Sequence, residues 1–422
     1  MKNSIAILNR KNVIVILILI SLFLLFSFSL FSSYILFALL ALLMISYDIK
    51  NAYCILIFTF PFYGVAVIDG FGFIPFLAFL LVLKAFIFDL IKFTKDKLSI
   101  LLLFILLSTF ISFLINPLYI NNLTKTFFQI ILIILLRSIK LSQHFALKLI
   151  FFFVLGSTLS IIVGYNLDNY TNIWIDRALA TRFVGSVSDP NYFSRLLLFA
   201  ICSCFLLIFS NVKKNIKLIV LLCLLSAVYG VFLSLSKMGL LIFLIISAVF
   251  IYTIFFKRNI KTLAKFGYLF LAICISYAFI INLDFSNIIY RLSQDSDSLT
   301  TGRLELQSAA LFKWISSDFI NLLFGFGMDS SRAITSGLQK IEANVLHSIY
   351  IQTIVEQGVL GFVILINFIM YFLSKLNYLN VLFFLVFTIS GLALSGLLYW
   401  DLIFFYLVFD YINSSKKIKK WS

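Results

Sequence analysis

His347 stands in the run His347-Ser348-Ile349-Tyr350, where a polar stretch, Asp284 to Val345, gives way to an apolar one. Glu356-Gln357-Gly358 follows about two turns later. A neutral imidazole at such a boundary can take a proton from a hydroxyl nucleophile; it can equally serve a structural hydrogen bond. The polar stretch carries Arg291 and Arg303, and an earlier one, Asn166 to Asn191, carries Arg177 and Arg182. Arg195 and Lys237 stand close by in sequence, at the starts of apolar runs. Arginine forks suit bidentate contact with phosphate or diphosphate. The plain alternative is pairing with Asp176, Asp189, Asp295 and Glu305.

The elements that must position these groups are helices in a membrane. The 422 residues are 63% apolar and 12% charged, whereas soluble domains run at about 45–50% and about 25%. Apolar runs recur that are long enough for a hydrocarbon core of about 30 Å. They are continuous, not alternating, which excludes a barrel. We expect an all-α polytopic membrane protein, a single integral domain over 1–422 with about 12–14 transmembrane helices. Fourteen candidate spans fall near 13–31, 33–47, 52–68, 73–91, 98–115, 123–139, 145–165, 192–210, 216–234, 238–256, 264–283, 346–373, 377–394 and 397–411. The first follows Lys2, Arg10 and Lys11 and, with no clear cleavage site after it, reads as a retained span.

The net charge of +16 is distributed in a way that argues against a nucleic-acid partner. About 22 of the 33 Lys and Arg fall in alternate links and at the two termini, the placement that sets membrane orientation. Both termini are then cytoplasmic, and the loops 166–191 and 284–345 lie on the far side. Arginine there runs against the topological rule and needs another reason. A lipid diphosphate in the outer leaflet would present its charge at that depth. Within the spans, charge is sparse: Lys84 is expected to snorkel, and Asp401, after Trp400, to be solvated at the outer boundary. A proton-coupled transporter would show more acids or histidines inside its helices.

The remaining signals narrow the chemistry. The five cysteines, Cys54, Cys202, Cys204, Cys223 and Cys274, all lie in apolar runs and suggest neither disulfide nor metal. His144 sits in a basic link and reads as solvated. Tyr350 is either an interfacial aromatic or a sugar-stacking platform. No phosphate-cradling loop, dinucleotide pattern, zinc spacing or nucleophile elbow occurs, so no cofactor is expected. The cytoplasmic side is nearly bare of carboxylates, which disfavours a nucleotide-sugar donor. Within the larger loop a surface helix is expected near 302–315, with Leu304, Leu311 and Ile315 on one side.

The second half, about Val184 to Phe362, resembles the O-antigen polymerase and O-antigen ligase superfamily. The resemblance rests on pieces in order: Gly185-Ser186-Val187-Ser188-Asp189-Pro190-Asn191, Leu233-Ser234-Leu235-Ser236-Lys237-Met238-Gly239, Thr301-Gly302-Arg303-Leu304, Leu323-Phe324-Gly325-Phe326-Gly327, His347-Ser348-Ile349-Tyr350 and Glu356-Gln357-Gly358-Val359-Leu360-Gly361. It implies a GT-C-like architecture with one large periplasmic loop in a bacterial inner membrane. It further implies metal-independent glycosyl transfer from an undecaprenyl-diphosphate-linked oligosaccharide, with a chain-length regulator as a further expected partner. By that analogy Arg303 meets the donor diphosphate and His347 is the base. The catalytic set is then His347 and Arg303; the substrate-binding set is Lys237, Arg182, Arg177, Arg291, Asp189, Asn191, Tyr350 and Glu356. The second arginine of the family lands on Lys237, which keeps the charge and loses the fork. Arg291 and Gly302 fit an Arg-x10-Gly pattern of polymerases once. Polymerase is the leading expectation, with ligase and lipid-linked glycan flippase or transporter as alternatives.

Overall fold

The computed structural model describes residues 9–28, 32–65, 67–68, 71–91, 96–115, 120–139, 142–175, 178–187, 189–210, 212–256, 303–327, 330–335, 346–377, 380–394 and 397–414. The protein is an all-α membrane protein. Apolar helices occupy the positions of thirteen of the fourteen expected spans; the remaining one, 264–283, lies outside the described residues. Continuous apolar sequence forms helix in lipid because each backbone N–H and C=O must then be satisfied within its own segment.

In chain order the helices are α1 (Arg10–Ser27), α2 (Ser33–Ser46), α3 (Ile49–Thr59), α4 (Ile74–Ile87), α5 (Lys97–Ile115), α6 (Ile120–Ser138), α7 (Gln143–Asn166), α8 (Pro190–Phe209), α9 (Lys214–Leu233) and α10 (Lys237–Phe256). After the undescribed stretch come α11 (Arg303–Ile315), α12 (Phe319–Phe324), α13 (Ser330–Thr335), α14 (Ile349–Leu373), α15 (Asn380–Ser390) and α16 (Trp400–Ser414). Six of them, α1, α5, α7, α8, α9 and α14, are long and apolar enough to cross a membrane. The 302–315 segment is thus helical over Arg303–Ile315.

Among the described residues two antiparallel hairpins interrupt the helices. One is minimal, β1 (Val67–Ile68) with β2 (Phe71–Gly72). The other, β3 (Tyr170–Ile175) with β4 (Ala178–Phe183), fills most of the first polar loop, with Tyr170 opposite Phe183 and Thr171 opposite Arg182. Its base is pressed onto the end of α7: a Cβ on Gly164 would fall within the backbone of Gly185. Only two glycines allow that approach.

α7 and α8 form the centre of the bundle, packed on each other and on α9, with α3 against α7 and α16 against both. Lipid tails are as apolar as leucine, so helix association here relies on close packing and polar contacts. Phe153 stacks on Phe404 at 3.7 Å and Phe205 on Phe250 at 3.6 Å. At the end away from the β3–β4 hairpin, basic side chains tie helix ends together. Arg137 pairs with Asp96 and donates to the Tyr406 carbonyl at 2.5 Å. Lys148 donates to Asn51 Oδ1 at 2.8 Å. Lys84, expected to reach into headgroups, instead donates to the carbonyls of Met44, Ile45 and Tyr47, closing the C-terminus of α2.

Candidate functional site

Three chain segments meet at the hairpin end of the bundle, and a fourth, around His347, lies at the same end. Asp189 caps α8, its Oδ1 accepting from the backbone N–H groups of Asn191 at 2.7 Å and Tyr192 at 3.2 Å, and Pro190 occupies the first turn, where no N–H is needed. Asn191 then turns its side chain toward the α9–α10 turn. Its Oδ1 accepts from Arg182 Nη2 at 3.1 Å and from Ser236 Oγ at 3.0 Å. Arg182 Nε donates to the Ser234 carbonyl at 3.0 Å. Ser236 Oγ in turn accepts from the Gly239 N–H at 3.1 Å and caps α10. Lys237, the first residue of α10, has its ammonium shielded from solvent at this junction.

The turn between α9 and α10 is strained. Leu235 has φ +49°, a left-handed conformation that is an outlier for a bulky side chain. Such residues persist where surrounding contacts over-determine them, and they cluster at working sites. Here the over-determination comes from Arg182 on one side and the Ser236 cap on the other.

His347 shares this unusual backbone, with φ +47°. Two contacts from distant elements bracket it. Gln307 Nε2, on α11, donates to the Leu346 carbonyl at 2.8 Å. Behind it, the Ile349 N–H donates to the carbonyl of Gly391, just past α15, at 2.8 Å. Ser348 is the N-cap of α14. Tyr350 Oη donates to the Thr388 carbonyl at 2.8 Å, so its hydroxyl serves the α14–α15 contact. α15 also packs on α8 and α10, and the chain leaving Gly391 leads to Asp401 beside Arg195. His347 is therefore at the same end of the bundle as Asn191, Ser236 and Lys237.

α14 is broken about two and a half turns below its first residue, Ile349. Gly358 has φ +66° and ψ −164° inside the helix. Gly325, with φ +77°, crosses it. A Cβ on either glycine would fall within the other segment's backbone, Gly325 into Glu356–Gln357 and Gly358 into Leu323–Phe324. The carbonyls released by the break are taken up: Val355 accepts from the Phe326 N–H at 2.9 Å, and Glu356 from the Gly327 N–H at 3.1 Å and from Ser112 Oγ. The Glu356 carboxylate is buried and accepts from Ser331 Oγ at 2.7 Å and from Gln352 Nε2 at 3.2 Å. Non-helical backbone at membrane depth is tolerated where protein buries it or a cavity is lined.

Two expectations from the sequence are corrected. Asp401 is not solvated at a boundary; it is fully buried, 0% exposed, and Arg195 meets it through Nε–Oδ2 at 2.6 Å and Nη2–Oδ1 at 3.1 Å. Arg195 is accordingly not offered to a diphosphate, and its partner is none of the carboxylates near it in sequence. Arg177 and Arg291 lie outside the described residues, and Arg303 is placed as the residue that opens α11. Gln307, Ser331 and Gln352 had no signal of their own in the sequence. Arg195 with Asp401 did have one, since opposite charges near the starts of two apolar runs are costly unless they meet.

Comparison with known families gives one finding. Residues 218–366 match the family model described as O-Antigen ligase. The match takes in the α9–α10 turn, α11 to α13, His347 and the break at Gly358, and it supports the O-antigen ligase and polymerase superfamily and a glycosyl-transferring activity of that type. No curated protein matches the chain.

Proposed function

We propose that this protein polymerises undecaprenyl-diphosphate-linked oligosaccharide repeat units into O-antigen or capsular polysaccharide. The reaction takes place at the periplasmic face of a bacterial inner membrane, with both termini cytoplasmic. The observation that supports the reading is the location at one end of the bundle of Asn191 and the Ser236–Lys237 turn, on two of the family-like segments, and of His347, with its left-handed backbone, on a third.

In the proposed step an acceptor sugar hydroxyl attacks the anomeric carbon of the donor. The new C–O bond forms as the bond from that carbon to the diphosphate oxygen breaks, and undecaprenyl diphosphate leaves. His347 takes the hydroxyl proton. Arg303 and Lys237 neutralise the charge that develops on the leaving diphosphate, a contribution that grows in a water-poor site. Arg177 and Arg291 are proposed to assist from the two loops. Arg182, Asp189 and Asn191 set the edge of the site through their mutual bonds; Glu356 and Tyr350 hold α14 against its neighbours. The loops 166–191 and 284–345 select the sugar.

The test is lipopolysaccharide or capsule chain length in cells expressing Arg303→Ala or His347→Ala at normal protein level. Loss of long chains in both is expected, and long chains retained in both end the assignment. A second reading, ligase, is favoured by the description of the matching family model. A deletion strain separates the two: single repeat units left on the lipid carrier mean polymerase, whereas carrier-bound polymer that is never transferred means ligase.

A further inference from the structure

We infer that Gln307 is a positioning residue for His347, joining the helix that Arg303 opens to the backbone that carries the imidazole. The inference rests on the proposed role of His347 as base.

The argument starts from the backbone of residue 347. Left-handed φ is uncommon outside glycine; asparagine, aspartate and histidine adopt it more readily than other side chains, but it still costs free energy that neighbouring contacts must offset. The chain two residues after the histidine is held by the bundle, through the Ile349 N–H and the Gly391 carbonyl. The peptide before it is held from α11: Gln307 Nε2 reaches the Leu346 carbonyl at 2.8 Å, across 39 residues of sequence. Leu346 itself is 1% exposed and belongs to a small apolar cluster with Ala310, Trp314 and Val355, separate from the main core. α11 therefore both covers Leu346 and holds its carbonyl. Arg303 lies four residues before Gln307 on the same helix, one turn or about 6 Å along the axis. A displacement of α11 is then felt at His347 through one hydrogen bond, and the two proposed catalytic groups move as a unit. Ordinary satisfaction of a buried carbonyl would use the same bond but would leave the imidazole unaffected when the donor is removed.

The chain contains two histidines, and His144 is exposed at the start of α7. His144→Gln therefore leaves His347 as a single reporter in histidine-labelled full-length protein in lipid nanodiscs. In that background Gln307→Met keeps the side chain's length and removes the donor, while Gln307→Lys returns one. The probe for turnover is the lipid-linked oligosaccharide extracted from cells deleted for this protein. Gln307→Met is expected to move the His347 Cα and ring-nitrogen resonances and to lower kcat on the order of 10–100-fold, the range for a misplaced catalytic group. KM is expected to stay within about twofold, and Gln307→Lys to recover most of both signals. Unmoved resonances in Gln307→Met, unchanged kcat, or failure of Gln307→Lys to recover either one overturns the inference. If His347→Ala abolishes turnover while Gln307→Met does not, only this inference falls. If His347→Ala and Arg303→Ala both turn over normally, the proposed reaction falls whatever Gln307→Met does.

Discussion

The guanidinium of Arg195 and the carboxylate of Asp401 face each other edge to edge, 206 residues apart in sequence, with neither reaching solvent. Arg195 is 5.1 Å from the Tyr192 ring and 5.3 Å from that of Tyr399, and those two rings stack at 4.2 Å. The pair ties the start of α8 to the start of α16, within two turns of Asp189 and Asn191. Two buried charges are tolerated only because each is the other's partner.

Asp401→Ala should strand the guanidinium and cost about 3–5 kcal/mol, whereas Arg195→Met with Asp401→Leu should recover most of that loss because apolar replacement of a buried pair is often neutral. Thermal unfolding of the purified protein in detergent distinguishes the two. A double variant as unstable as Asp401→Ala would contradict this account.

Asn191→Ala removes an acceptor shared by Arg182 and Ser236. The expected cost is about 1–3 kcal/mol, the range for leaving buried donors unsatisfied. Asn191→Asp keeps the acceptor and should be close to wild type in the same unfolding measurement.

Gly358→Ala and Gly325→Ala each place a methyl group into the opposing backbone at a left-handed φ. Each should destabilise by more than about 2 kcal/mol, read as lower yield of monodisperse protein and a lower Tm. Because the two segments share one crossing, the double variant should lose less than the sum of the singles.

Lys237→Arg should retain the proposed glycosyl transfer, since the resemblance to the superfamily places an arginine there and the charge is kept. Lys237→Gln should raise KM for the lipid-linked donor at least about tenfold, the effect of roughly 1.4 kcal/mol of lost binding. Measured turnover on carrier-linked oligosaccharide in nanodiscs checks both, and an unaltered KM in Lys237→Gln removes this residue from the proposed donor site.

Much of the molecule was legible before any coordinates. Apolar runs of near-membrane length dictate helices because lipid supplies no hydrogen-bond partner for a backbone, and so the positions of thirteen apolar helices followed from hydropathy alone. Asp189 and Ser236 went unread as helix caps, although the partners that make them so lie within one turn.

What hydropathy could not supply was the partner of any long-range polar group. Asp401 follows a tryptophan and reads as an interfacial acid; only the packing of α16 on α8 decides that it is sealed beside Arg195. Gln307 is one more polar residue on an amphipathic helix until α11 is laid against Leu346. Gly325 and Gly358 mark turns in sequence, but that they cross each other is a property of two segments brought together. The physical reason is one of range: a helix, a cap and a membrane span are fixed by forces acting over a few residues or by the solvent, while the pairing of buried charges and strained backbones is fixed by whichever surfaces pack.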